Sequence, residues 1–138
     1  MGESVGAVRA AVLTLAALVL GGCGLTGPAH GPPSPKAAAA VTMGFESYSP
    51  ATVTVRSGDT VEWQNTSLIT HTVTDDPKRA EKAGDSSLPS GAQTFDSGDI
   101  PAGQVYLHTF MAPGTYRYFC LHHEGDGMIG TVVVQPAS

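Results

Sequence analysis

Short stretches in which apolar and polar residues alternate fill the middle and end of the chain. Thr52-Val53-Thr54-Val55 alternates, Ser57-Gly58-Asp59 turns the chain, and Thr60-Val61-Glu62-Trp63-Gln64 alternates again, with Val61 and Trp63 on one face. A period of two marks a half-buried strand. His71-Thr72-Val73-Thr74 is a further β-rich run; residues 104–110 and 115–120 read as strands joined by Ala112-Pro113-Gly114, and residues 129–134 as the last. In 115–120 the period places Tyr116, Tyr118 and Cys120 on one face and Arg117 and Phe119 on the other. Phe119 then reads either as an exposed aromatic flanking Cys120 or as a purely structural residue. Residues 104–110 carry apolar side chains on both faces, so their orientation stays open. Asp76-Pro77 predicts the cap of a short helix over 78–83, stopped by Gly84, and 86–92 reads as loop. Seven to eight short strands separated by turn signals predict an all-β sandwich or barrel.

The N-terminus has a different pattern. Arg9 precedes an apolar run over residues 10–20, too short for the roughly 20 residues that span a bilayer. A short apolar core behind a basic residue reads as a secretory signal. The run ends in Leu20-Gly21-Gly22-Cys23, which resembles a bacterial lipobox. Residues 1–22 are therefore expected to be a lipoprotein signal peptide, with Cys23 as the lipidation site on the extracytoplasmic face. Acyl chains would anchor the protein, each buried CH₂ contributing about 0.8 kcal/mol. Residues 23–40 are rich in Gly, Pro and Ala, and read as a flexible tether. The folded domain is then 41–138.

At 138 residues the chain allows one domain with tails. Its net charge of −5 argues against a nucleic-acid partner, which would call for a basic stripe. Two cysteines exclude a disulfide-dense scaffold and a Cys-rich zinc finger. If Cys23 carries lipid, Cys120 has no partner within the chain, and an unpaired thiol outside the cytoplasm needs an explanation. A metal supplies one, because coordination deprotonates the thiol and occupies the sulfur.

Residues 116–128 hold a thiol, two imidazoles and a thioether: Cys120, His122, His123 and Met128. Thiolate, imidazole and thioether together select copper, and a His₂Cys set with a weak axial Met is the blue-copper arrangement. Zinc more often takes four strong ligands. A second imidazole must come from elsewhere. His30 lies in the tether, His108 reads as an ordinary strand residue, and His71 follows the apolar pair Leu68-Ile69 at the head of a β-rich run. Met43 and Met111 read as packing or loop residues.

With these residues in place the sequence resembles the plastocyanin-like cupredoxins over roughly 41–136. That family spaces its C-terminal ligands Cys-x₂-His-x₄-Met, which selects Cys120, His123 and Met128 here; His71 fits the upstream ligand. Pro113-Gly114-Thr115-Tyr116, Gly130-Thr131-Val132-Val133-Val134 and Val61-Glu62-Trp63 agree with the flanks. The resemblance implies a cupredoxin-like Greek-key β-sandwich with one mononuclear copper. It implies a monomeric carrier of single electrons between redox proteins, not an enzyme, with His123 as the electron exit beside an apolar patch including Leu68 and Ile69. Two departures stand out. The family often has a non-ligand such as Pro where this chain has His122, so His122 is an alternative to His123, with the spacing favouring His123. It also often has Asn after the upstream His, tying the two ligand loops together; Thr72 has a shorter reach, which predicts surroundings of the ligands that are either looser or built differently. Asn65-Thr66-Ser67 matches a glycosylation sequon, set aside in a bacterial lipoprotein. The rival functions are a cell-surface copper chaperone or scavenger using the same ligands, and a metal-free sandwich that binds a protein or peptidoglycan component.

Overall fold

A computed structural model describes residues 31–138. The signal peptide, Cys23 and His30 lie outside the described residues. Among the described residues seven strands form two sheets: β1 (Ala37–Met43), β2 (Tyr48–Ser49), β3 (Thr52–Arg56), β4 (Thr60–Asn65), β5 (Val105–Thr109), β6 (Gly114–Phe119) and β7 (Ile129–Gln135). One sheet has the order β2-β1-β4-β5 and the other β3-β7-β6. The architecture is the expected all-β sandwich.

The alternating strands bury the faces their patterns predict. Val53 and Val55 of β3, Val61 and Trp63 of β4, and Tyr116 and Tyr118 of β6 enter the core with Val132 and Val134 of β7. Trp63 and Tyr118 are fully buried and meet edge to face at 5.4 Å. Tyr48 caps the other side of Tyr118 at 4.8 Å and donates its hydroxyl to the Thr72 carbonyl at 2.6 Å. In β5 the ambiguity resolves: Tyr106 and His108 turn toward the core, while Val105 and Leu107 are exposed.

Three expectations need correction, and the choice left open at Phe119 falls to the structural alternative. The domain begins before residue 41, because Ala37–Ala40 belong to β1 and pair in parallel with β4 from Thr60 onward. Alanines carry no alternation to see, and the pairing is made by backbone. Residues just upstream also engage the fold: the Ser34 amide donates 2.9 Å to Glu62 Oε2, on the outer face of β4.

The His71–Thr74 run is not a strand; it makes isolated bridges, His71 to Ile100 and Thr74 to Asp96 and Phe119. The helix over 78–83 is replaced by a turn after Asp76 and a 3₁₀ turn at Ala83–Asp85. A helix there would need the amides of Glu81 and Lys82 for its own ladder, and both instead donate to the Glu124 carboxylate. Phe119, finally, is fully buried. Its strand face is covered by the excursion through residues 74–87, which bridges β6 at Phe119 and Arg117.

Candidate metal centre

Three chain segments meet at the end of the sandwich where β6 stops. Cys120 follows β6 directly and is fully buried. His71 lies beyond β4 and is held by a two-way backbone pairing with Ile100, 3.2 Å and 2.7 Å. His123 and Met128 come from the loop between β6 and β7. That loop is tied to itself: His123 N–H donates to the Cys120 carbonyl, Met128 N–H to the His123 carbonyl and Cys120 N–H to the Met128 carbonyl, each at 3.1 Å. The last bond brings Met128 back to Cys120, and its side chain is fully buried.

The side chains of His71, Cys120 and His123 converge. Cys120 Sγ lies 3.8 Å from His71 Nδ1 and 3.5 Å from His123 Nδ1, and the three donor atoms all lie within 4.8 Å of one another. A metal about 2.1 Å from each of three ligands in a plane separates them by about 3.6 Å. The cluster has that size, and its thiol-and-imidazole chemistry suits copper. Cys120 is the free cysteine among the described residues. His122 is not part of the cluster: its Nε2 pairs with Asp99 Oδ1 at 2.8 Å on the surface.

The surroundings fix each donor. His71 Nε2 sits 2.9 Å from Ser67 Oγ. An Nε2–H donating to that hydroxyl leaves the Nδ1 lone pair facing Cys120, the tautomer a metal requires. Burial pushes the His71 pKa down, the nearby His123 adds to this, and a backbone contact at Gly44 partly opposes it; the ring is therefore neutral near pH 7. The Thr72 amide donates to Cys120 Sγ at 3.3 Å, and the Thr72 hydroxyl donates to the same sulfur at 3.8 Å. The same hydroxyl accepts the Leu121 amide at 2.8 Å. Thr72 thus ties the two ligand loops together despite its short side chain, so of the two alternatives the link is built differently and is not lost: the loops approach closely enough for a hydroxyl to span them.

Ser67 and Glu124 were not legible as functional positions. Ser67 falls within the sequon that was set aside, and its only signal is standing four residues before His71. Glu124 reads as one acid among many.

A small β-sandwich with a soft, preassembled Cys/His/His cluster at the end of one sheet defines a copper-binding domain of the cupredoxin type. The comparisons agree. Residues 36–135 match the model of the copper binding proteins of the plastocyanin/azurin family. The chain is 36% identical over 102 residues to the chloroplastic plastocyanin of Tetradesmus obliquus, covering 71% of this chain and 68% of that one. It is 33% identical over 130 residues to the plastocyanin of Prochlorothrix hollandica, covering 91% and 92%. Among solved structures, amicyanin from Paracoccus versutus is similar with a TM-score of 0.56 at 27% identity, covering 75% of this chain and 84% of that one. The protein belongs to the plastocyanin/azurin family of copper-binding proteins.

Proposed function

We propose that the protein is a blue copper electron carrier, anchored through Cys23 to the outer face of a bacterial membrane. In this reading His71, Cys120, His123 and Met128 hold one copper ion. The observation that carries it is the convergence of the thiol and two imidazole Nδ1 atoms within 4.8 Å. Copper bound there supplies a one-electron couple between Cu(I) and Cu(II).

The protein's own groups do the rest. Cys120 gives the thiolate, and its hydrogen bonds from Thr72 stabilise negative charge on sulfur. His71, fixed by Ser67, and His123, fixed by its loop, hold their imidazoles in place, so little rearrangement accompanies a change of charge. Met128 would offer a weak thioether ligand that tunes the potential of the bound copper. No substrate is transformed.

His123 is partly exposed, unlike His71, and its outer edge is the electron exit. Leu68, 78% exposed, and the half-buried Ile69 stand just before His71 in the chain, and the exposed Phe45 follows Gly44, whose backbone meets His71; these side chains would supply an apolar docking surface near the site. Such a surface suits short-lived contacts with redox proteins. Eleven acidic against five basic residues over 41–136 favour partners with a basic patch and make docking salt-sensitive.

Titration of the apoprotein with Cu(II), followed by absorption and electron paramagnetic resonance, tests this reading. One copper per chain is expected, with an intense thiolate-to-copper band and narrow hyperfine splitting, both lost in Cys120→Ser and kept in His122→Ala. A folded, reduced protein without that band overturns it. A blue protein that hands its copper to an apo acceptor faster than it cycles electrons is a copper chaperone instead. For the anchor, Cys23→Ala is expected to release the protein from the membrane fraction; retention would overturn that part.

A further inference from the structure

Besides the surface pair His122–Asp99, two buried side chains hold the ligand loop to the body of the fold. One is Thr72. The other is Glu124, which follows His123 directly and yet is only 3% exposed. Its carboxylate turns away from solvent toward the excursion before β5. Oε1 accepts the Glu81 amide at 2.9 Å and the Lys82 amide at 3.1 Å, and Oε2 accepts the Glu81 amide at 3.0 Å. The Glu124 carbonyl also accepts the Gly127 amide at 2.9 Å. Main chain and side chain of one loop residue are both engaged.

A buried carboxylate is costly unless it is hydrogen-bonded, and here two consecutive backbone amides receive it, at the expense of the helix that 78–83 would otherwise form. A neutral acceptor such as a side-chain amide could meet a backbone N–H without burying a charge. What a carboxylate adds is charge beside the metal centre. Negative charge inside the fold favours the more positively charged oxidised state of a nearby metal. Groups of this kind orient the ligands and alter metal affinity.

We propose that Glu124 is a positioning residue of the copper centre. By locking the loop to Glu81 and Lys82 it fixes His123 and slows copper loss, and its buried charge lowers the reduction potential. The inference rests on the copper reading given above.

The experiment compares the copper-loaded wild type with Glu124→Gln, Glu124→Asp and Glu81→Ala. The first keeps the shape but removes the charge and sets an amide NH₂ against a backbone N–H. The second keeps the charge but is one methylene too short for both amides. The third removes an exposed acidic side chain beside the same loop while keeping the backbone amide. Reduction potential, hyperfine splitting and the rate of copper release to a chelator are measured, with melting of the apoprotein as the stability readout.

Glu124→Gln is expected to shift the oxidised-to-reduced equilibrium about tenfold toward the reduced form, about 59 mV for one electron, and to release copper about tenfold faster. Glu124→Asp is expected to speed release with a smaller change in potential, and it decides the matter if Glu124→Gln fails to fold. Glu81→Ala is expected to match the wild type. A destabilised Glu124→Gln with unchanged potential, spectrum and release rate overturns the inference and leaves a structural clamp. An equal shift in Glu81→Ala overturns it in favour of general surface charge. A wild type without the blue band overturns the copper reading and this inference with it; a blue wild type indistinguishable from Glu124→Gln overturns this inference alone.

Discussion

Two imidazoles in this sandwich share one property and differ in everything else. His71 and His108 both lose proton affinity mainly through burial. His108 sits among rings, stacked on Phe95 at 4.6 Å and edge to face with Phe110 at 4.8 Å. It lines a cavity of about 330 Å³ with Met111, Tyr116 and the 91–94 segment. His71 has a hydroxyl at Nε2 and a thiol at Nδ1. Burial alone makes a neutral imidazole. A metal centre needs the second polar partner that selects the tautomer, and further donors aimed at the other nitrogen.

The sharpest way to break this comparison is to make the same substitution in both regions. His71→Phe is expected to abolish the blue band and tight copper binding. His108→Phe, placed among aromatic rings, is expected to leave band position, intensity and copper affinity unchanged. Parallel copper titrations check both, and loss of the band in His108→Phe would erase the distinction.

How far each region could be read from the sequence follows the same division. Donor types and their spacing are written in the chain, so Cys120, His123, Met128 and His71 stood out before any coordinates. The strands around Val53, Val61 and Tyr118 were legible because their apolar residues alternate, although packing also covers the second face of β4, where Glu62 and Gln64 are buried. Ala37–Ala40 gave no such signal, since alanine fits a tether and a strand equally. Phe119 followed its period to the far face of β6, but the period could not say that residues 74–87 would cover that face. Ser67 and Glu124 meet partners 4 and 43 residues away, and Thr72, which stood out only through the resemblance, meets Cys120 48 residues on. Those contacts exist only once the loops are packed together, so residue type and local pattern did not reveal them.

A second prediction concerns the wall between the two regions. Tyr118 stands two residues from Cys120 and 6.4 Å from Phe95, whose ring covers His108. Gly130 of β7 faces Tyr118 so closely that an added Cβ would overlap the phenol ring. Tyr118 is packed against Trp63 and Tyr48 and has no room to retreat. Gly130→Ala is therefore expected to destabilise the apoprotein by about 1–3 kcal/mol, as overpacking does, in urea unfolding. A variant as stable as the wild type would show that the wall yields.

Removing the partner rather than the imidazole gives a smaller effect. Ser67→Ala deletes the hydroxyl that faces His71 Nε2 and leaves the ring in place. Copper affinity is expected to fall about tenfold, with the blue band retained. Competition against a chelator measures it. If affinity does not change, the tautomer of His71 is held by something other than Ser67.

The smallest expected effect belongs to Asp75, which joins the His108 region through Phe95. Asp75 Oδ1 accepts the Phe95 amide at 2.8 Å, while its buried Oδ2 has no hydrogen-bond partner among the described residues. Burial pushes the carboxyl up from 3.8 to about 6, with a further push from Asp76, although the Phe95 amide pulls the other way. Between pH 4 and 6 the folded state holds this proton and the unfolded state does not, so its contribution to stability falls as pH rises. About 1 kcal/mol of that fall lies between pH 5 and 6. The depressed imidazoles of His71 and His108 act in the opposite sense, since stability associated with them is lost as pH drops below 6.5. The two trends overlap in the wild-type apoprotein, so its raw pH profile separates neither. The difference between wild type and Asp75→Asn does, because only the carboxyl is removed. Relative to the variant, the wild type is expected to lose stability steadily from pH 4 to 6 and then level off. A flat difference would mean that Asp75 ionises in the folded protein as it does in the unfolded chain, and that the aromatic region tolerates a buried charge as well as the metal-binding end does.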